Sequence, residues 1–176
     1  MNSYDLFPEV LPFDKNIGRE LALRLKSDPN DNLIQGKSLE GVLARHLSTL
    51  TKVELTAEDL DNQWWDIFLP ELKTPMRIDA KSTSAHSYTV STHELEMAKN
   101  YPGLFVWALY KVDGDTFVRR AVFGKLKGSE LWGPPLLSPS LFTARAHSKP
   151  TFYWDDISLE GRETVTLNQL NELNLL

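Results

Sequence analysis

RIDAKST (residues 77–83) places Asp79 and Lys81 two apart in a run that otherwise has the composition of a β-strand. Side chains alternate between faces along a strand, so these two project from the same face. A carboxylate beside an ammonium in such a place has two explanations. It is a surface ion pair, or it is half of a metal-binding site.

Working outward, WWDIFLP (64–70) is rich in aromatic and apolar residues and predicts a strand carrying Asp66. ELKTP (71–75) has the length of a hairpin connection, and MRIDAKS (76–82) is its partner strand. Upstream, Leu39, Val42, Leu43, Leu47 and Leu50 recur at helical spacing after Ser38, which predicts an amphipathic helix of about three turns. That helix carries Glu40. KNIGRELALRLK (15–26) predicts a short helix, stopped by the turn formers of SDPNDN (27–32). Residues 1–14, with two prolines and no period, predict an extended arm lying on the body or reaching to a partner.

KVEL (52–55) leans towards strand and SYTV (87–90) reads as short and extended. Ser91 and Glu94 form a capping box, so a helix is expected from Thr92 to about Asn100, closed by NYPG. LFVWALYKV (104–112) is nearly continuous apolar sequence and predicts a central strand buried on both faces. DGD (113–115) is a hairpin turn leading into TFVRRAVFG (116–124). Residues 125–150 read as an irregular loop, 151–157 as an edge strand and TLNQLNELNLL as a terminal helix. The order predicts one domain over 1–176, an α/β or α+β sandwich with a mixed sheet.

The 176 residues include no cysteine, which removes disulfides and thiolate metal sites and suits a reducing cytoplasm. No basic region followed by an apolar run opens the chain, and no window resembles a membrane span. The net charge of −5 argues mildly against non-specific nucleic-acid binding. It is uneven, however: −5 over 1–76, +4 over 77–149 and −4 over 150–176. No glycine-rich phosphate loop, zinc-spaced histidine pair or serine-nucleophile motif is present, so no organic cofactor is expected.

Asp66 and Asp79 each interrupt a run that favours burial, and an unpaired buried carboxylate is costly. Two of them on adjacent strands repel unless something positive lies between. Arg77 or Lys81 could supply it, as could Mg²⁺, a hard ion that takes one or two carboxylates and keeps several waters. Lys81 is then suited to orient an attacking water or stabilise charge on a phosphate oxygen. Glu40 adds a further carboxylate.

The set resembles the PD-(D/E)XK nuclease superfamily over roughly residues 37–112. SLEGVLARHL resembles its first core helix, with Glu40 at the acidic position. WWDIFLP resembles the strand of the first Asp, here Asp66. RIDAKST resembles the (D/E)XK strand, here Asp79 and Lys81, and HELEMAKNYPGLFVWALYKV the second helix and next core strand. Trp65 stands where the motif's Pro would be, and Asp79 where Glu is commoner. The resemblance implies a restriction-endonuclease-like core, Mg²⁺ or Mn²⁺ as cofactor, and DNA as the polymer cleaved. It implies Asp66, Asp79 and the Ala80 carbonyl as metal ligands, Lys81 as the residue positioning water, and Glu40 as support.

Ser82 and Thr83 follow Lys81 and could donate to a phosphate. Arg119, Lys125, Arg145 and Lys149 are candidates for DNA-backbone contacts, which give affinity without sequence information. A homodimer is the expected assembly, since two-fold pairing is commonest. The alternative is a non-catalytic α/β binding module, an adaptor or inhibitor acting through a protein partner. The acidic balance, the apolar arm and the acidic C-terminal segment favour it.

Overall fold

The computed structural model of the chain describes residues 3–24, 30–55, 65–83, 87–89, 100–126 and 151–153; for 3, 4, 83, 87–89, 123, 125, 126 and 151–153 it describes the backbone alone. The elements in chain order are α1 (Ser3–Leu6), β1 (Val10–Pro12), α2 (Lys15–Arg24), α3 (Asp31–Ser48), β2 (Glu54–Leu55) and β3 (Ile67–Leu69). There follow β4 (Met76–Thr83), β5 (Ser87–Thr89), β6 (Leu104–Asp113), β7 (Thr116–Leu126) and β8 (Thr151–Tyr153). The class is mixed α/β. Six strands form one mixed sheet in the order β1-β7-β6-β4-β3-β2, and β5 pairs with β8 in a separate two-stranded sheet.

The centre of the large sheet is the parallel pair β4–β6, in register from Met76↔Leu104 to Thr83↔Lys111. Parallel neighbours need a crossover of a dozen or more residues, and residues 84–103 provide it. The helix expected from Thr92 lies outside the described residues, except for Asn100, which is helical. Antiparallel hairpins complete the sheet on both sides. β3 pairs with β4 through Ile67↔Ile78 to Leu69↔Met76. β6 returns as β7 through a tight turn at Asp113–Thr116, where Gly114 takes φ +61°. A bulge between Leu109 and Tyr110 leaves Arg120 outside the one-to-one pairing.

Strand alternation sorts β4 into two faces. Met76, Ile78 and Ala80 join Leu104, Val106 and Ala108 in a core under α3, whose Leu39, Val42, Leu43 and Leu47 are buried against it. Arg77, Asp79 and Lys81 take the other face, opposite Phe105, Trp107 and Leu109, which are also buried. β6 is thus covered on both sides, as its unbroken apolar run requires.

One expectation needs correcting, and one open alternative is decided. Helix α3 begins at Asp31, two turns before the apolar spacing suggests. Asn30 caps it in extended conformation, and its side chain accepts from Leu33 N–H at 2.9 Å. Turn formers and N-cap formers are the same residue types, so the SDPNDN stretch, read as a helix stop, also supplies a helix start at Asn30. The N-terminal residues, for their part, are built into the body. Leu6 and Phe7 are fully buried, and β1 forms the sheet edge on β7. Tyr110 donates its hydroxyl to the Pro8 carbonyl at 2.7 Å. Helices α2 and α3 pack closely, and a Cβ on Gly18 would run into the Ile34 carbonyl oxygen.

Candidate active site

The site arises where β3 ends. β3 starts only at Ile67, so beyond Ile78 the edge of β4 has no strand beside it. Asp66 closes that gap. Its backbone N–H donates to the Ile78 carbonyl at 2.8 Å, and its side chain accepts from the Ala80 N–H at 2.8 Å. Continuing the register by one residue sets Asp66 opposite Asp79. The open edge also admits Glu40 from α3, which packs over β4.

Three carboxyls from three elements form one array. Asp66 stands in the middle, in hydrogen-bonding interaction with both Asp79 and Glu40. A lysine flanks each end. Lys81 Nζ lies 3.3 Å from Asp79 Oδ2, and Lys37 Nζ lies 2.9 Å from Glu40 Oε2. Asp79 is 5% exposed, so its charge is held in a nearly dry place.

Three carboxylates against two ammoniums leave one negative charge in excess, and the excess shows in the ionisation. The Asp66 carboxyl is pushed up from 3.8 to about 7, first by burial and then by the negative charge of Glu40. Hydrogen bonds from Asp79 and the Ala80 amide, and the Lys37 charge, oppose the rise without cancelling it. Glu40 is raised by burial, against the pull of Lys37. Near neutral pH Asp66 is therefore still partly protonated, and a cation could replace that proton.

Among the described residues, no group of three or more histidine, aspartate or glutamate side chains is already splayed as a metal cage. The donor chemistry nevertheless fits a hard divalent cation, since every candidate ligand is a carboxylate or carbonyl oxygen. The surplus negative charge fits it as well.

The structure brings together Glu40, Asp66, Asp79, Ala80 and Lys81. Ser82 lies next to them, its hydroxyl accepting from Gln35 Nε2 at 3.4 Å. Thr83 ends β4 and Lys125 lies in β7, with only their backbones described; Arg145 and Lys149 lie outside the described residues. Arg119 stands apart: its guanidinium donates to the Phe7 carbonyl and its backbone N–H to the Glu9 carbonyl. It fastens the N-terminal segment to the sheet. Arg77, which the sequence offered as a partner for the aspartates, packs on aromatic rings instead. Lys37 and Gln35 were missed. Lys37 was detectable, because three residues separate it from Glu40 and helical residues at that spacing are neighbours.

No family model matches the chain, and neither the curated proteins nor the solved structures contain a match to it.

Proposed function

We propose that the chain is a metal-dependent endonuclease that hydrolyses phosphodiester bonds in DNA, built on a restriction-endonuclease-like core. The observation that carries this is the array Lys37–Glu40–Asp66–Asp79–Lys81, assembled from a helix and two strands around an open sheet edge. The order also supports it: helix with Glu40, Asp66 just before a short strand, strand with Asp-x-Lys, then a buried strand parallel to the last.

In this reading Asp66, Asp79 and the Ala80 carbonyl hold Mg²⁺ or Mn²⁺. Such an ion, when bound, lowers the pKa of a water and withdraws charge from a phosphoryl oxygen. The protein's own groups do the rest. Asp79 holds Lys81 Nζ close, where it can donate to the attacking oxygen or to a phosphate oxygen. Lys37 compensates Glu40, so that Glu40 can sit beside Asp66 without expelling it. The Ala80 amide fixes the Asp66 carboxylate in one orientation. Ser82, Thr83, Lys125, Arg145 and Lys149 are the proposed contacts to DNA, and a cytoplasmic homodimer the proposed form.

The same distances fit a structural ion-pair network in a non-catalytic binding module. Each carboxylate already has an internal partner, and buried pairs often serve only to fix a fold. Cleavage decides between them. Supercoiled plasmid, linear duplex, single strand and a four-way junction are incubated with Mg²⁺, Mn²⁺ or EDTA. The nuclease cuts at least one substrate only with metal, and Asp79→Ala and Lys81→Ala abolish cutting. Failure to cut any of them, with variants as folded as the wild type and indifferent to metal, leaves the ion-pair network standing.

A further inference from the structure

Arg77 lies on the same face of β4 as Asp79 and Lys81, one side-chain repeat before the array. Its guanidinium carbon sits 4.3 Å from the ring centre of Tyr101, 4.8 Å from that of Trp65 and 5.7 Å from that of Phe68. Trp65 and Phe68 also contact each other, with ring centres 5.7 Å apart. All four side chains are half-buried.

The way this arginine is held is unusual for a structural one. Among the described residues no carboxylate forms a salt bridge with it, although Asp79 is only two residues away. Its Nε is buried without a hydrogen-bond partner. A half-buried cation with unmet donors is costly unless an anion completes it. Aromatic rings can hold a guanidinium by its faces while leaving its in-plane N–H groups to an incoming anion. That planar fork matches the two oxygens of a phosphate. Its surroundings are specifically built. The NYPG turn brings Tyr101 across, and a Cβ on Gly103 would come within 2.8 Å of the Tyr101 ring. Trp65 and Phe68 flank Asp66 and Ile67 in the same short segment.

We propose that Arg77, held by Tyr101, Trp65 and Phe68, binds a phosphate of the nucleic-acid chain about two nucleotides from the one cleaved. This rests on the nuclease reading of the neighbouring array. Arg77 and Asp79 are about 7 Å apart along the strand, which matches about two nucleotides of one DNA strand at 3.4 Å each. The substrate backbone then runs along β4, over Arg77 and then over Asp79 and Lys81. Arg77 is a binding residue for the substrate; it takes no part in bond breaking.

The test is equilibrium binding without cleavage, by fluorescence anisotropy of labelled oligonucleotides in EDTA. The proteins are wild type, Arg77→Met and Arg77→Lys, with melting curves to establish that each is folded. Arg77→Met is expected to bind roughly tenfold more weakly at about 0.1 M salt, with the slope of log K against log salt reduced by about 0.7–0.9, the share of one phosphate contact. Arg77→Lys keeps the charge and the slope but loses the two-donor contact, and falls between the two. A neutral methylphosphonate walked along the strand should weaken the wild type at one position and leave Arg77→Met unaffected there. Arg77→Met binding as tightly as wild type with the same slope overturns the proposal and leaves the nuclease reading intact. If Arg77→Met does not fold, Arg77→Lys binding like wild type, with the same methylphosphonate profile, overturns it equally. Absence of any DNA binding by the wild type, in EDTA and in Ca²⁺ alike, overturns the proposal, and absence of cleavage in Mg²⁺ or Mn²⁺ besides overturns the nuclease reading with it.

Discussion

Replacing Asp66 by asparagine should stabilise the protein at alkaline pH. The carboxyl has an ordinary value of 3.8 and is held at about 7 in the folded chain. Because the folded value is the higher, the folded state binds a proton that the unfolded state has already released between those limits. Stability therefore falls as pH rises from about 4 to 7, and the loss is complete above 7. At about 1.4 kcal/mol per pH unit, the separation amounts to about 4 kcal/mol. That is a ceiling, because the side chain is only half-buried and water relieves part of the penalty. Asparagine has the same shape, keeps an oxygen for the Ala80 amide and carries no charge. Urea denaturation in EDTA at pH 4.5, 6 and 8 should show the variant and wild type nearly equal at the lowest pH. The variant should be ahead by about 2–4 kcal/mol at the highest. The slope belongs partly to Glu40, which is raised in the same direction and titrates with Asp66 as a coupled pair. A gap independent of pH, or a wild type more stable than the variant at pH 8, refutes the reasoning. It would mean that Lys37 and Lys81 already satisfy the whole array.

Mg²⁺ or Mn²⁺ should raise the melting temperature of the wild type at pH 8 and leave Asp79→Ala unchanged, as differential scanning fluorimetry would show. Gly18→Ala should cost about 1–3 kcal/mol in chemical denaturation, because the added methyl meets backbone at Ile34, which cannot rotate away. Asn30→Ala removes the cap of α3 and should cost about 1 kcal/mol by the same measurement. Tyr110→Phe leaves the half-buried Pro8 carbonyl without this donor. It should cost about 1 kcal/mol and speed amide exchange in the first ten residues before the rest of the sheet.

The sequence carried the local facts well. Two-residue alternation placed Asp79 and Lys81 on one face of a strand, and the apolar run at 104–112 marked a strand buried on both sides, because both signals come from neighbours along the chain. The hairpin from Asp66 to Asp79 was legible for the same reason. Other features depended on partners distant in sequence. α3 begins at Asn30 because a side chain capped there, among residues that elsewhere make turns. Residues 10–12 became an edge strand because β7, more than a hundred positions later, offered an unpaired rim. Arg119 looked like a free cation and became a strut, since the Phe7 carbonyl came to it through that pairing. Local spacing pairs Lys37 with Glu40 and Asp79 with Lys81, but nothing local shows that burial joins these pairs through Asp66 into one electrostatic unit. β3 stops one residue short of Asp66, the open edge lets α3 bring Glu40 alongside, and burial then couples charges that water would have kept independent.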